Sequence, residues 1–369
     1  MRGLTSAAAA VAVTAALVAV PPASAAARCD MKPIQTALAA LKNINAAPGI
    51  VLTVKSPGCG VWSGGVGVAD RATGRKISGD EHSRIGSDTK TWTAVVVLQL
   101  VAEGKLKLDD TVDHYLPGLV DTPQYDGREI TIRDLLQHTS GLPDYAENDY
   151  WADDQEHRWD HTEPLFTVQQ ALTMDPPEQT ASGFYYSSTN YNLAGLIVAK
   201  VTGRSIGTEI TQRIIQPLGL CETYWPGDQT TIRKPDLRSY TKGVDTTEWN
   251  TSEADASGEL ISTGPDTTAF WAALLSGKLL PPSLLTEMKR TILDDSKQGY
   301  GLGVQKYQLT KDLVTWGHSG GMASGHNFWN AVTGDGQRSV TMLINSDGYT
   351  NAQARKIDNV GGTLVHDIR

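Results

Sequence analysis

The chain has little cysteine: Cys29, Cys59 and Cys221 are the only three in 369 residues. A fold stapled by several disulfides is thereby excluded, and an oxidising compartment allows one bridge with one thiol left over. Cys29–Cys59 is the preferred pairing, because an N-terminal helix can pack near the Pro57-Gly58-Cys59-Gly60 turn. An excess of basic charge is also missing. The balance is 32 Lys and Arg against 41 Asp and Glu, a formal charge of −9, which argues against nucleic acid as partner. Long apolar runs are confined to the first 25 residues. There Arg2, the run Ala7 to Val20 and Ala23-Ser24-Ala25 have the order of a secretory signal, and the run is short for a membrane span. Cleavage near Ala25 removes one basic residue and leaves 31 − 41 = −10. Arg28 stands before Cys29 where a lipoprotein signal wants a small residue, so the expectation is a secreted chain with no membrane span and no lipid anchor. Internal repeats and the alternating β-α pattern of a doubly wound parallel sheet are absent as well.

What is present sorts by position. Ile34, Leu38, Leu41 and Ile44 recur at helical spacing, and strands are expected over Ile50–Val54 and Val61–Val68. The middle of the chain is helical: Thr131 to His138 with Asp134 as a capping acid, Thr167–Met174, Asn190–Val201 closed by Gly203, Ile206–Ile215, Asp266–Leu275 and Leu284–Ile292. Residues 144 to 165 are acidic and tryptophan-rich without period, a long loop of the kind that lines sites. Gly301–Val304, Leu313–Trp316, Asn327–Val332 and Ser339–Asn345 read as strands, Gly334-Asp335-Gly336 as a hairpin turn, and Asn351 to His366 as a last helix. Strands at both ends with helices between imply an α+β fold. It would hold one largely antiparallel sheet from both termini (about 30–85 and 295–369), flanked by the terminal helices, with a helical lobe (about 86–294) inserted in a single domain over 26–369.

Chemistry concentrates in Arg84-Ile85-Gly86-Ser87-Asp88-Thr89-Lys90, which opens an apolar helical run. Residues i and i+3 share a helix face, so Lys90 can meet Ser87 and take its proton. Desolvation and the positive helix end both disfavour the ammonium form. The first helical N–H points where an oxyanion would form. The same spacing in Ser239-Tyr240-Thr241-Lys242 is a coincidence, since Gly243 follows and no helical period appears. Tyr186 lies in a polar turn and is either a proton shuttle or an aromatic staple at a helix start. His318 ends an apolar strand and either joins the site or caps the strand. Gly317-x-Ser319-x-Gly321 also matches a nucleophile elbow, with Asp335, Asp347 or Asp358 and His366 as formal partners. An elbow must turn into a helix, however, and Met322 to Val332 reads as turn plus strand.

Several ordered stretches carry a family resemblance: Ile85-Gly86-Ser87-x-x-Lys90, Thr131-Ile132-Arg133-x-Leu135-Leu136-x-His138-Thr139-Ser140-Gly141-Leu142, Tyr186-Ser187-x-Thr189-Asn190-Tyr191, Ser262-Thr263, Tyr300-Gly301-Leu302-Gly303 and Gly317-His318-x-Gly320. Over nearly the whole mature chain the sequence resembles the serine D-alanyl-D-alanine carboxypeptidases related to class C β-lactamases. The resemblance implies an acyl-enzyme on Ser87, with Lys90 as base, Tyr186 as relay to the leaving group and His318 completing the network. The N–H groups of Ser87 and Gly321 would hold the oxyanion. No metal or cofactor is implied. The expected substrate is a small peptide of the peptidoglycan type, with β-lactams as covalent inhibitors and a monomeric enzyme.

Two departures bear on the substrate. Ser188 stands where relatives carry asparagine, and Gln305 where the carboxypeptidases carry an arginine for the terminal carboxylate. A neutral amide cannot replace that bidentate fork. Trp151 and Trp249 occupy positions that line the pocket in related carboxypeptidases, the alternative being that either ring fills a gap, and Ser319 would also face substrate. The leading expectation is a D-alanyl-D-alanine carboxypeptidase or D-stereospecific peptidase. The alternatives are an esterase, amidase or weak β-lactamase on the same scaffold, and a non-catalytic penicillin-binding protein.

Overall fold

The computed structural model describes residues 29–152, 155–294, 298–346 and 348–368. The expected signal segment, 1–25, lies outside them, as does Asp347. Helix α1 (Lys32–Ile44) starts with Pro33 in its first turn and buries Ile34, Ala37 and Leu41. Strands β1 (Gly49–Ser56) and β2 (Gly60–Asp70) form a hairpin whose turn holds Cys59, bonded to Cys29 just ahead of α1. Cys221 is free and exposed.

The remaining long strands come from the C-terminal part: β3 (Gln305–Thr310), β4 (Leu313–Gly317), the two-residue β5 (Gly320–Gly321), β6 (Asn327–Thr333) and β7 (Ser339–Ile344). Strand β1 takes β7 on one side and β2 on the other, both antiparallel, with Val51 opposite Leu343 and Gly65. The sheet continues through β6, β4 and β3 to Gly299–Tyr300 and Ile292–Leu293. One largely antiparallel sheet from both termini is therefore present. Both its faces are buried. Ile50, Leu52, Val54, Val340 and Met342 join Ile34, Leu41 and Leu364 in one core, whereas Val51 and Leu343 join the larger core under the helical segments. The last helix, Asn351–Asp367, packs beside α1 on the first face and opens with a Thr350–Gln353 capping box.

Sequence and structure part at residues 301–304. Strand was expected there, but Gly301 N–H donates to Val304 O and Gly303 has φ +75°, so the segment is a turn between two strands. The reason is close approach: a Cβ on Gly303 would lie 2.6 Å from Ala94 Cβ and 3.2 Å from Lys90 O. Thr91 Oγ1 donates to Gly303 O at 2.7 Å, clamping the turn to the helix that carries Lys90.

Candidate active site

Ser87 sits in a 3₁₀ turn, Gly86–Asp88, that runs into helix α2 (Thr89–Ala102). Gly86 has φ +51°, which lets the chain turn from the Ser83–Arg84 strand into the helix. Helix α2 is buried on all sides, as its apolar run implies. Its first turn is pinned by Asp88, whose carboxylate accepts from Trp92 Nε1 at 3.1 Å and Trp271 Nε1 at 2.9 Å. Burial raises the Asp88 pKa to about 7.

Lys90 is 1% exposed. Its Nζ lies 3.1 Å from Ser87 Oγ, 2.9 Å from Ser257 O and 3.4 Å from Ser188 Oγ. Desolvation lowers its pKa to about 7, against the opposing pull of Asp144. A neutral amine can accept a proton at working pH, which an ordinary lysine cannot. Asp144 stands behind Ser188, whose Oγ donates to Asp144 Oδ2 at 3.2 Å. The short Ser188 side chain thus bridges a carboxylate and the lysine. Sequence reasoning did not single out Asp144, which opens the acidic loop directly after Pro143.

The Tyr186 ring lies 5.0 Å from Lys90 Nζ, and its hydroxyl interacts with Ser87. Burial raises its pKa, which keeps the phenol protonated. His318 is buried at the end of β4. Its Nδ1 is 2.6 Å from Ser319 O and its Nε2 is 2.9 Å from the Tyr300 hydroxyl, which also meets His138 Nε2 at 3.2 Å. Burial, then the nearby Lys90, lowers the His318 pKa to about 3. Neither His138 nor Tyr300 was singled out from sequence, although both lie inside the family motifs.

Strand β5 closes the other side of Ser87. A Cβ on Gly86 would come within 2.9 Å of Gly321 N, and one on Gly320 within 3.1 Å of Ser87 N. Glycine at both positions therefore allows two backbone segments to meet where an oxyanion would sit. Ser319 joins β4 to β5, strand to strand, so the segment is no elbow. Of the elbow's formal partners, Asp335 caps its hairpin turn by accepting from Gln337 N–H, His366 pairs with Asp367, and Asp358 lines a cavity that Ser319 also lines. Ser239-x-x-Lys242 falls on a small hairpin, with Lys242 in its turn.

Two cavities meet at Ser87 and Gly321. The first, about 170 Å³, is walled by Tyr145, Trp151, His157, Trp249 and Met322, with Lys90, Ser188 and Glu253 also at its surface. Trp249 is held by the buried Arg84, whose guanidinium donates to Trp249 O at 2.6 Å and Thr230 O at 2.8 Å. The second, about 380 Å³, is reached past Tyr186 and Ser319. Gln305 lines neither. Its Oε1 accepts from Ser319 N–H at 3.0 Å and from the Tyr307 hydroxyl, so the amide oxygen supports the strand junction at Ser319, which lines the second cavity.

A serine paired to a buried lysine at the head of a helix, beside such a sheet, defines the penicillin-recognising serine hydrolases. The beta-lactamase family model matches residues 34–362, and the chain belongs to that family. Among solved structures it is similar to a D-stereospecific amidohydrolase from Streptomyces sp., with 37% identity and TM-score 0.82 over 90% of this chain and 98% of that one. It is also similar to the D-amino acid amidase of Ochrobactrum anthropi SV3, with 25% identity and TM-score 0.77 over 90% and 99%. Among curated proteins, penicillin-binding protein 4 of Amycolatopsis lactamdurans is 36% identical over 155 residues, 42% of this chain and 39% of that protein. Penicillin-binding protein 4* of Bacillus subtilis is 31% identical over 157 residues, 42% and 33%. Both matches span under two fifths of the curated relative's length.

Proposed function

We propose that the chain is a secreted serine amidohydrolase that cleaves amide bonds on the carbonyl side of D-amino acid residues. The observation that carries the chemistry is the 3.1 Å approach of the buried Lys90 amine, with its pKa near 7, to Ser87 Oγ. Lys90 takes the hydroxyl proton as Oγ attacks the carbonyl, and the N–H groups of Ser87 and Gly321 receive the oxyanion. Tyr186 gives its proton to the departing nitrogen, and the Lys90 ammonium restores it. Water then attacks the ester, the proton it loses returns to Ser87, and the carboxylic acid leaves. His318 stays neutral and fixes the Tyr300 hydroxyl and the Ser319 carbonyl.

Substrate choice follows from charge. Apart from Lys90, neither cavity presents a lysine or arginine among the described residues, and the Gln305 amide oxygen accepts from the Ser319 N–H. A C-terminal carboxylate would enter without a cationic partner among the described residues, which favours an amidase over a carboxypeptidase. The 37% identity to an amidohydrolase described as D-stereospecific supports the same choice and the D preference. The expected leader and the Cys29–Cys59 bridge support export. No helix among the described residues is long and apolar enough to cross a membrane.

The test is a panel of D- and L-amino acid amides, D-Ala-D-Ala peptides and p-nitrophenyl esters. D-amides should be turned over well ahead of L-amides and of free-acid dipeptides. A strong preference for free D-Ala-D-Ala acids would restore the carboxypeptidase reading.

A further inference from the structure

The larger of the two cavities is lined by Tyr186, Ser319, Trp329, Tyr349, Ile357 and Asp358, among others. Tyr186 touches this cavity and not the smaller one, while Lys90 touches only the smaller. A leaving nitrogen must lie within hydrogen-bond reach of the group that protonates it. With Tyr186 as that group, the larger cavity receives the leaving group and the aromatic one the acyl part.

Asp358 is the only charged side chain among the described residues that line this cavity. It projects from the last helix and has no hydrogen-bond or ion-pair partner among the described residues. Partial burial raises its pKa, with no neighbouring charge opposing the shift. A carboxylate gains from a cation and repels a second carboxylate, and the exposed position of Asp358 lets solvent weaken both effects without abolishing them.

We propose that the cavity between Tyr186 and the last helix is a leaving-group site in which Asp358 selects amines that carry a second, cationic group, such as the monoamide of a diamine or a basic residue. The proposal rests on Ser87 being the nucleophile and deepens the amidase reading. It reverses the usual expectation for a carboxypeptidase-like scaffold, because the leaving group with a free carboxylate becomes the disfavoured one.

The experiment compares three D-phenylalanine amides of matched length: the N-(2-aminoethyl) amide, the N-propyl amide and the glycine amide with its free carboxylate. In wild type, kcat/KM should fall in that order, with about threefold between the first and the second, the scale of one solvent-exposed ion pair. Asp358→Asn should level the cationic and neutral substrates, and Asp358→Lys should favour the glycine derivative. The primary amide, whose leaving group is ammonia and too short to reach Asp358, should be cleaved equally by all three proteins. Equal kcat/KM for the cationic and neutral amides in wild type overturns the proposal. If even the primary amide is inert, the amidase reading fails by itself. The site is then judged by how fast alkylphosphonates bearing cationic, neutral or anionic leaving arms label Ser87. Labelling rates that ignore the charge of the arm, or ignore Asp358→Asn, would also overturn it.

Discussion

His318 Nε2 lies 2.9 Å from the hydroxyl of Tyr300. The direction of that hydrogen bond follows from both ends of the network. Ser187 N–H can only donate, so His138 Nδ1, 3.1 Å away, accepts; the proton of the neutral ring is then on Nε2, facing Tyr300. At the other end Ser319 O can only accept, so His318 carries its proton on Nδ1 and its Nε2 accepts. The Tyr300 hydroxyl therefore receives from His138 and donates to His318. Burial holds both rings neutral, lowering the pKa of His138 well below its ordinary value and that of His318 to about 3.

Tyr300→Phe breaks this chain at its centre and leaves two buried ring nitrogens unpaired. Stability should drop by about 1–3 kcal/mol, the cost of such groups. With the His318 ring held only through Nδ1–H to Ser319 O, kcat should fall while KM changes little. Nitrogen-15 NMR of the His318 ring should show the Nδ1–H form in both proteins, with the Nε2 resonance shifted in the variant by loss of its hydrogen bond. A variant that loses stability but keeps kcat would reduce Tyr300 to packing.

Ser87→Ala should abolish turnover and covalent labelling by a β-lactam or a fluorophosphonate. Mass spectrometry of labelled wild type should place the adduct on the peptide containing Ser87. An adduct on Ser319 would contradict the assignment.

Lys90 sets the pH profile. With its pKa lowered to about 7, kcat/KM should rise through pH 7 and level off above it. Lys90→Arg keeps the charge but cannot release the proton, so it should be nearly as damaging as Lys90→Ala. Substantial activity in Lys90→Arg would mean that the lysine serves only as a positive charge.

The same lysine has a stability consequence of defined sign. Its pKa is about 7 folded and 10.5 by ordinary value, so between those limits the unfolded chain binds the extra proton. Stability relative to a Lys90→Met variant should therefore climb as pH rises from 7 to 10.5. Denaturant midpoints of both proteins at pH 7 and pH 10 decide this. A pH-independent difference would mean that the amine is solvated in the folded protein.

The Cys29–Cys59 bridge closes a loop with a sequence separation of 30. Chain-entropy arguments give about 3–4 kcal/mol for a loop of that length. Cys29→Ser together with Cys59→Ser should lower the melting temperature and leave kcat unchanged, since α1 packs on the sheet face away from Ser87. A loss of kcat at a temperature where the variant is folded would tie the N-terminal helix to the site.

The sequence alone determined a good deal here. Period-2 and period-3.6 patterns placed β1, β2, β6, β7 and most helices, because both cores demand apolar residues at those intervals. Ser87 and Lys90 were legible because three residues on a helix put two side chains on one face, a purely local fact. What was not legible depended on distant segments meeting. Residues 301–304 turn because Gly303 must pass against α2. Gln305, expected in the pocket, lines neither cavity and accepts from the N–H of Ser319 at the edge of one. Asp144, His138 and Tyr300 gain their roles from burial beside Lys90 and His318, and burial is a property of the packed chain. Asp358, 271 positions from Ser87 in sequence (358 − 87), faces the same cavity only because the last helix folds back across the sheet that both termini build.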